Sequence, residues 1–263
     1  MSDPLAPVIR NLHEEGRLRA WSLLMTVFGD SVQHRGGRIA TARLRVLLER
    51  VGVSSGTLRT ALSRLGQDGW VSSEREGRSS SYTLNGAALE AVEGASQTIY
   101  AAPRATPVRD WVMRLGGETG LQIAPGVFLA PADAPMPPGV RAAVTGPLTE
   151  VAPDLAESVL GPDNLGARAA LRADLAALQG LELTPLESAA ARTLLIHRWR
   201  RLVLRHPELP PGLPGEGGAP DLRTEVACLY RALTPGAEAW LSSDADGLDP
   251  MPAPDAAAAR RFG

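Results

Sequence analysis

Apolar residues recur at helical spacing through the first third of the chain. Leu18, Trp21, Met25, Phe28 and Val32, at steps of three and four, predict a first helix that stops near the turn-like run QHRGG. RIA (38–40) reads as a short β-prone bridge. Thr41 is a candidate cap for a second helix with the apolar set Leu44, Leu47, Leu48 and Val51. Gly52 stands where a C′ glycine belongs. Ser54 or Ser55 caps a third helix, without the Glu at N3 that would complete a capping box. Its stripe is Leu58, Ala61, Leu62 and Leu65, the i, i+3, i+4, i+7 set of a helix with one buried side. Gly69 fits a left-handed C′ position, with Trp70 folding back on Leu65. WVSSEREGRSSSYTL then reads as a β-hairpin turning around Arg75, Glu76, Gly77 and Arg78, with Val71 and Tyr82 on its inner side.

The polar side of the third helix carries Arg59, Thr60, Ser63, Arg64 and Gln67 over an arc of about 140°. Such a face can simply be wet. The order helix, strand, helix, tight turn, helix, hairpin is nevertheless that of a winged helix-turn-helix, whose third helix enters the DNA major groove while the hairpin touches the flanking backbone. Arg59, Thr60 and Ser63, near the helix N-terminus, are candidates for base edges. Arg64 and Gln67 can reach bases or phosphates. Arg75, Arg78 and Ser79 are candidates for the backbone, with Ser80 and Ser81 beside them. Glu74 and Glu76 dilute this basic tip.

Charge is distributed to match. The 263 residues carry a net −2, but residues 1–85 hold 12 Arg against 8 Asp and Glu, and the remainder 15 against 21. A basic excess confined to one region is an electrostatic footprint for nucleic acid. Every basic residue is Arg, the better fork for phosphate and guanine, although a GC-rich genome would give the same bias.

Beyond residue 97 the texture changes. Residues 98–153 are rich in Pro and Gly with weak periodicity, and 154–245 are mostly helical. The Pro/Ala/Asp-rich 246–263 read as a disordered tail. The single cysteine, Cys228, lies in the apolar run VACLY and reads as a buried structural thiol. With no leader-like start and no apolar run of about 18 residues, the chain reads as soluble and cytoplasmic.

FGD (28–30), RGG (35–37), RTALSRL, DGW and the GRxSxY of 77–82 together resemble the N-terminal domain of the PaaX family of transcriptional repressors. LQIAPGVFLAP (121–131) is similar to the family's central segment. LLIHRWRRLVLRHPELPPGLP (194–214) and LYRALTPGAEAWL (229–241) are similar to its C-terminal helical domain. The resemblance implies an α+β chain: a winged helix-turn-helix in 1–97, a ferredoxin-like (Cas2-like) central domain in 98–153, and a helical domain in 154–245. It also implies a homodimer on palindromic double-stranded operator DNA, released by a small-molecule effector such as an acyl-CoA or aryl-CoA thioester. The central domain departs from the pattern: it reads as shortened, two clear helices and four strands are not found between Tyr100 and Thr149, and the usual strand ahead of the first helix reads as missing or degenerate.

Other constellations are sparse. HRWRR offers His197, Trp199, Arg200 and Arg201 as a patch that could hold CoA, with the indole stacking and the arginines on phosphate. The competing reading is a core helix with solvated arginines. His13, His34, His197 and His206 have no metal-ligand spacing. A nuclease on a Cas2-like scaffold would need clustered carboxylates, whereas Asp110, Glu118 and Asp133 are scattered. No catalytic, metal or cofactor residues are therefore assigned. The expectation is a dimeric, ligand-responsive repressor. The alternative is a winged-helix protein acting through protein contacts or architectural DNA binding without an effector.

Overall fold

A computed structural model describes residues 3–14, 19–77, 79–150, 152, 154–205, 221–244 and 247–263. Leu18, Arg78, His206 and the stretch 206–220 lie outside the described residues. Helices α1 (Ala6–Glu14) and α2 (Ala20–Val27) come first. A π-helical turn, Phe28–Val32, and a 3-10 turn, Gln33–Arg35, prolong α2 to the glycine pair. Strand β1 (Arg38–Ala40), α3 (Thr41–Arg50) and α4 (Ser55–Gln67) follow in the expected order. The hairpin of β2 (Val71–Glu76) and β3 (Ser79–Leu84) forms an antiparallel sheet with β1, ordered β1-β3-β2. Helix α5 (Gly86–Ile99) closes this part.

Local chemistry explains the turns. Helices α3 and α4 end alike. In α3 the Val53 N–H donates to Leu48 O (2.9 Å) and Gly52 to Glu49 O (3.0 Å); in α4 Trp70 donates to Leu65 O (2.8 Å) and Gly69 to Gly66 O (3.1 Å). These are paired Schellman closures, and they need the positive φ of Gly52 (87°) and Gly69 (74°). Ser54 caps α4 by accepting from Thr57 N. Thr41 does not cap α3. It is the first helical residue, and its hydroxyl bonds Ser80 O (2.9 Å), stitching α3 to β3.

Strands β4 (Asp110–Gly116), β5 (Leu121–Ala124), β6 (Val127–Pro131) and β7 (Val140–Pro147) form one antiparallel sheet ordered β5-β6-β4-β7. A ferredoxin-like unit interleaves two helices with its four strands; here the strands follow one another without one. Residues 117–120 cross in the first gap, and Gly120 (φ 92°) passes so close to β6 that a Cβ would stand 2.8 Å from Leu129 O.

Helices α6 (Leu155–Leu178), α7 (Pro185–Val203) and α8 (Leu222–Leu241) complete the framework. Helix α6 breaks at Gly161–Pro162. Ahead of the break, Leu155, Val159 and Leu160 pack on Trp111, Leu121 and Leu129 of the sheet. Beyond it, Leu171, Leu175 and Leu178 join the main core. Helix α7 is buried nearly all round, as a central helix must be. Its Ala189, Ala190 and Ala191 keep it slim, and at the α7–α8 contact Gly236 leaves no room for a Cβ beside Ser188.

Three further expectations fail. The textural boundaries near 97 and 154 are not boundaries of packing, because α2, α3 and α4 share one core with α7 and α8. The tail is not frayed: Leu248, Met251 and Phe262 are buried. The Phe262 N–H bonds Tyr100 O (2.9 Å), and Phe262 packs edge-on to the Tyr100 ring. Nor is Cys228 buried; it lies on the exposed side of α8.

Candidate nucleic-acid interface

The stripe of Leu58, Ala61, Leu62 and Leu65 is buried, which fixes the roll of α4. That roll leaves Arg59, Thr60, Ser63, Arg64 and Gln67 all exposed on one side. Arg59 has no side-chain partner among the described residues. Arg64 makes only a loose pair with Asp68, at 3.7 Å, of the kind worth a few tenths of a kcal/mol. Thr60 donates its hydroxyl back to Gly56 O (3.1 Å), which leaves its lone pairs outward.

The hairpin is set against α4 by Asn85. Its side-chain amide donates to Gly69 O and its backbone N–H to Trp70 O, both at 2.9 Å, while its carbonyl accepts from Ser72 Oγ. The ladder closes on Glu76↔Ser79, with Gly77 at φ 59°. Arg75 and Ser79 are exposed; Arg78 lies outside the described residues. Glu74 is drawn to Arg38 (2.9 Å), whose Nε also donates to Ser81 Oγ (2.6 Å), so this acid opposes the hairpin's basic charge less than its position in sequence suggests.

The HRWRR patch is placed differently from the CoA reading. Trp199 is 1% exposed, its Nε1–H donates to Ile99 O (2.9 Å), and Arg223 already covers its ring at 5.0 Å. No face of this indole is open to stack on a ligand. His197 is buried against Thr26 Oγ1 (3.0 Å). Burial first, then the nearby Arg200, Arg201 and Arg198, push its pKa down to about 3, so the ring is neutral. Arg200 donates to Ser22 O and Oγ, and Arg201 is half-buried. The helix has turned its ring residues inward because they complete the core.

A charged hub emerged that spacing could not predict. Asp30, in the π-helical turn, is fully buried. It accepts from Tyr100 (2.8 Å) and Tyr230 (3.1 Å) and pairs with Arg192 (3.0 Å) and Arg261 (3.1 Å). Burial alone would raise its pKa; Arg192 and Arg261 outweigh it and hold the carboxyl below its ordinary range. Arg192 also bonds Glu238 (2.6 Å), which binds Arg35 in turn. FGD and RGG are thus the N-terminal half of a network whose other members lie up to 232 residues away. A cavity of about 380 Å³ lies beside it, under residues 254–261. Asp110, Glu118 and Asp133 are exposed, and Asp133 pairs with Arg104 (2.8 Å).

An α+β chain that presents an arginine-bearing helix face beside a hairpin is compatible with the class of DNA-binding transcriptional regulators. A family model described as PaaX-like protein matches residues 19–88, and one described as PaaX-like protein C-terminal domain matches 166–243. The chain is 28% identical over 282 residues to the transcriptional repressor PaaX of Escherichia coli (strain K12), covering 92% of this chain and 89% of that one. Among solved structures it is similar to the uncharacterized protein Rv0674 from Mycobacterium tuberculosis (TM-score 0.43, 20% identity, 84% of this chain and 97% of that one). The two family models together match more than half of the chain, which belongs to the PaaX-like family.

Proposed function

We propose that the protein is a transcriptional repressor whose residues 20–84 form a winged helix-turn-helix. Helix α4 enters the major groove and the hairpin lies along the flanking backbone. The observation that carries this is the exposed side of α4: five polar residues, two of them arginines, with no acid before Asp68 and the exposed Arg75 of the hairpin alongside. Arg59, Thr60 and Ser63 meet base edges; Arg64 and Gln67 meet bases or phosphates; Arg75, Arg78 and Ser79 meet phosphates. The likeness to a named repressor supports the sign of regulation.

The protein acts as a homodimer on a palindromic operator, with half-sites about one helical turn or a multiple apart. The β4–β7 sheet is a ferredoxin-like unit stripped of both helices. Its strand order and polarity, with the first and third strands central, fit that origin. An acyl-CoA or aryl-CoA thioester releases the operator, which couples effector and DNA affinity reciprocally. A gel shift on the DNA upstream of its own gene, at fixed salt, with and without phenylacetyl-CoA, tests this reading. Sequence-selective retardation, relieved by the thioester, is the expected result. Retardation that no acyl-CoA relieves would favour an architectural DNA binder, and no retardation would favour a protein-contact module.

A further inference from the structure

A second cavity, a cleft of about 370 Å³, lies between the base of the hairpin and the C-terminal segment. One wall is Arg35, Arg38 and Arg43; the others are Ser79–Ser81 and 249–252. Its size is near the lower end of small-molecule pockets, about 300–1,000 Å³. Pro250, Met251, Pro252 and Ala40 give it an apolar side against which a short hydrocarbon body can rest.

The polar side suits an anion. Arg43, 1% exposed, donates to the carbonyls of Trp240 (2.7 Å), Ser243 (2.7 Å) and Asp249 (2.8 Å), with Trp240 under its guanidinium at 4.9 Å. Among the described residues no carboxylate lies within ion-pair distance of it. Arg38 keeps its carboxylate partner, Glu74, out in solvent at 64% exposure, where a competing anion can replace it at little cost. Arg35 is held by Glu238. Asp249 is the one acidic side chain among the residues lining the cleft.

We propose that this cleft binds the anionic group of a small molecule, a carboxylate or phosphate, and is the effector's site. The proposal rests on the effector-responsive reading above. The cleft touches the parts that set the hairpin. Arg38 Nε–Ser81 Oγ (2.6 Å) and Thr41 Oγ1–Ser80 (2.9 Å) fasten β1 and α3 to β3, and Arg35 and Arg43 hold Pro252 O and Asp249 O. An anion that takes Arg38 and a serine hydroxyl loosens the first set and tilts the hairpin against α4, so the two halves of the DNA surface no longer fit one duplex. A duplex phosphate is the weaker occupant, because the segment 249–252 walls the cleft and Arg43 lies at its floor.

Calorimetric titration of the full chain with phenylacetate, coenzyme A, phenylacetyl-CoA and inorganic phosphate tests this. It is paired with gel shifts, without ligand and with each probe, for wild type, Arg38→Gln and Ser81→Ala. The free acid and the CoA compounds distinguish a carboxylate from a phosphate source. At least one probe is expected to bind wild type and to bind each variant about tenfold more weakly, the loss of one charge-assisted hydrogen bond. Both variants also remove the Arg38–Ser81 contact that fastens the hairpin, so ligand-free DNA affinity should fall in both, in the direction in which the bound anion drives wild type. A probe that releases wild type and both variants from DNA alike would overturn the cleft and leave the effector reading standing. No binding by any probe, and no release, would sink both. Loss of ligand-free DNA binding in both variants, with unchanged probe affinity, would make the cleft a DNA-phosphate contact instead.

Discussion

Arginine does opposite work in two regions of this molecule. On α4, Arg59 and Arg64 stand in water with no firm partner. Around Asp30, Arg192 and Arg261 are sunk in the core and tied to carboxylates, phenols and carbonyls. Both regions read alike in a charge count. Of the 12 arginines in residues 1–85, Arg35 and Arg43 are buried and Arg38 and Arg50 pair with acids, so the basic excess overstates the charge free to meet DNA. A guanidinium speaks for nucleic acid only when its partners are missing; a satisfied one speaks for architecture.

That contrast can be broken from either side. Asp30→Ala leaves Arg192 and Arg261 buried without their anion and should cost about 3–5 kcal/mol in urea unfolding; a loss below about 1 kcal/mol would mean the hub is ornamental. Arg59→Ala should leave stability unchanged and cost about 1–3 kcal/mol in operator binding, with relaxed specificity. Equal loss on operator and random DNA would remove α4 from base readout. His197 gives a pH signature for the buried side. Its folded pKa of about 3 lies below the ordinary 6.5, so the unfolded chain binds the extra proton between those values. Stability should be full above pH 6.5 and fall with acidification, by about 1 kcal/mol at pH 5.5. His197→Gln should flatten that part of the profile. Arg75→Ala should do least, weakening all DNA evenly and lowering the salt slope by about one.

Legibility followed the range of the interactions. The α3–turn–α4–hairpin segment could be read because its signals are local: a leucine stripe, a serine cap and glycines at Schellman positions. The cap at Thr41 was misread because its hydroxyl answers to Ser80, 39 residues away. The tail was misread because composition cannot reveal that Arg261 and Phe262 dock on Asp30 and Tyr100. The exposed face of α4 was legible for the reason the hub was not. A surface is what remains after the local stripe is buried, whereas a buried network is assembled by the whole chain. Trp21 marks the limit even there, since it belongs to the first helix's apolar set and is 40% exposed.

The most direct test places a probe on α4 itself. Exposed Cys228 is first replaced by Ser, so that Ser63→Cys can carry a photoactivatable crosslinker, with Val144→Cys on the 74%-exposed edge of β7 as the control. Crosslinks from position 63 to bases within an operator half-site, absent from position 144, are the predicted outcome. Crosslinks from position 144 but none from position 63 would contradict the claim that α4 reads DNA.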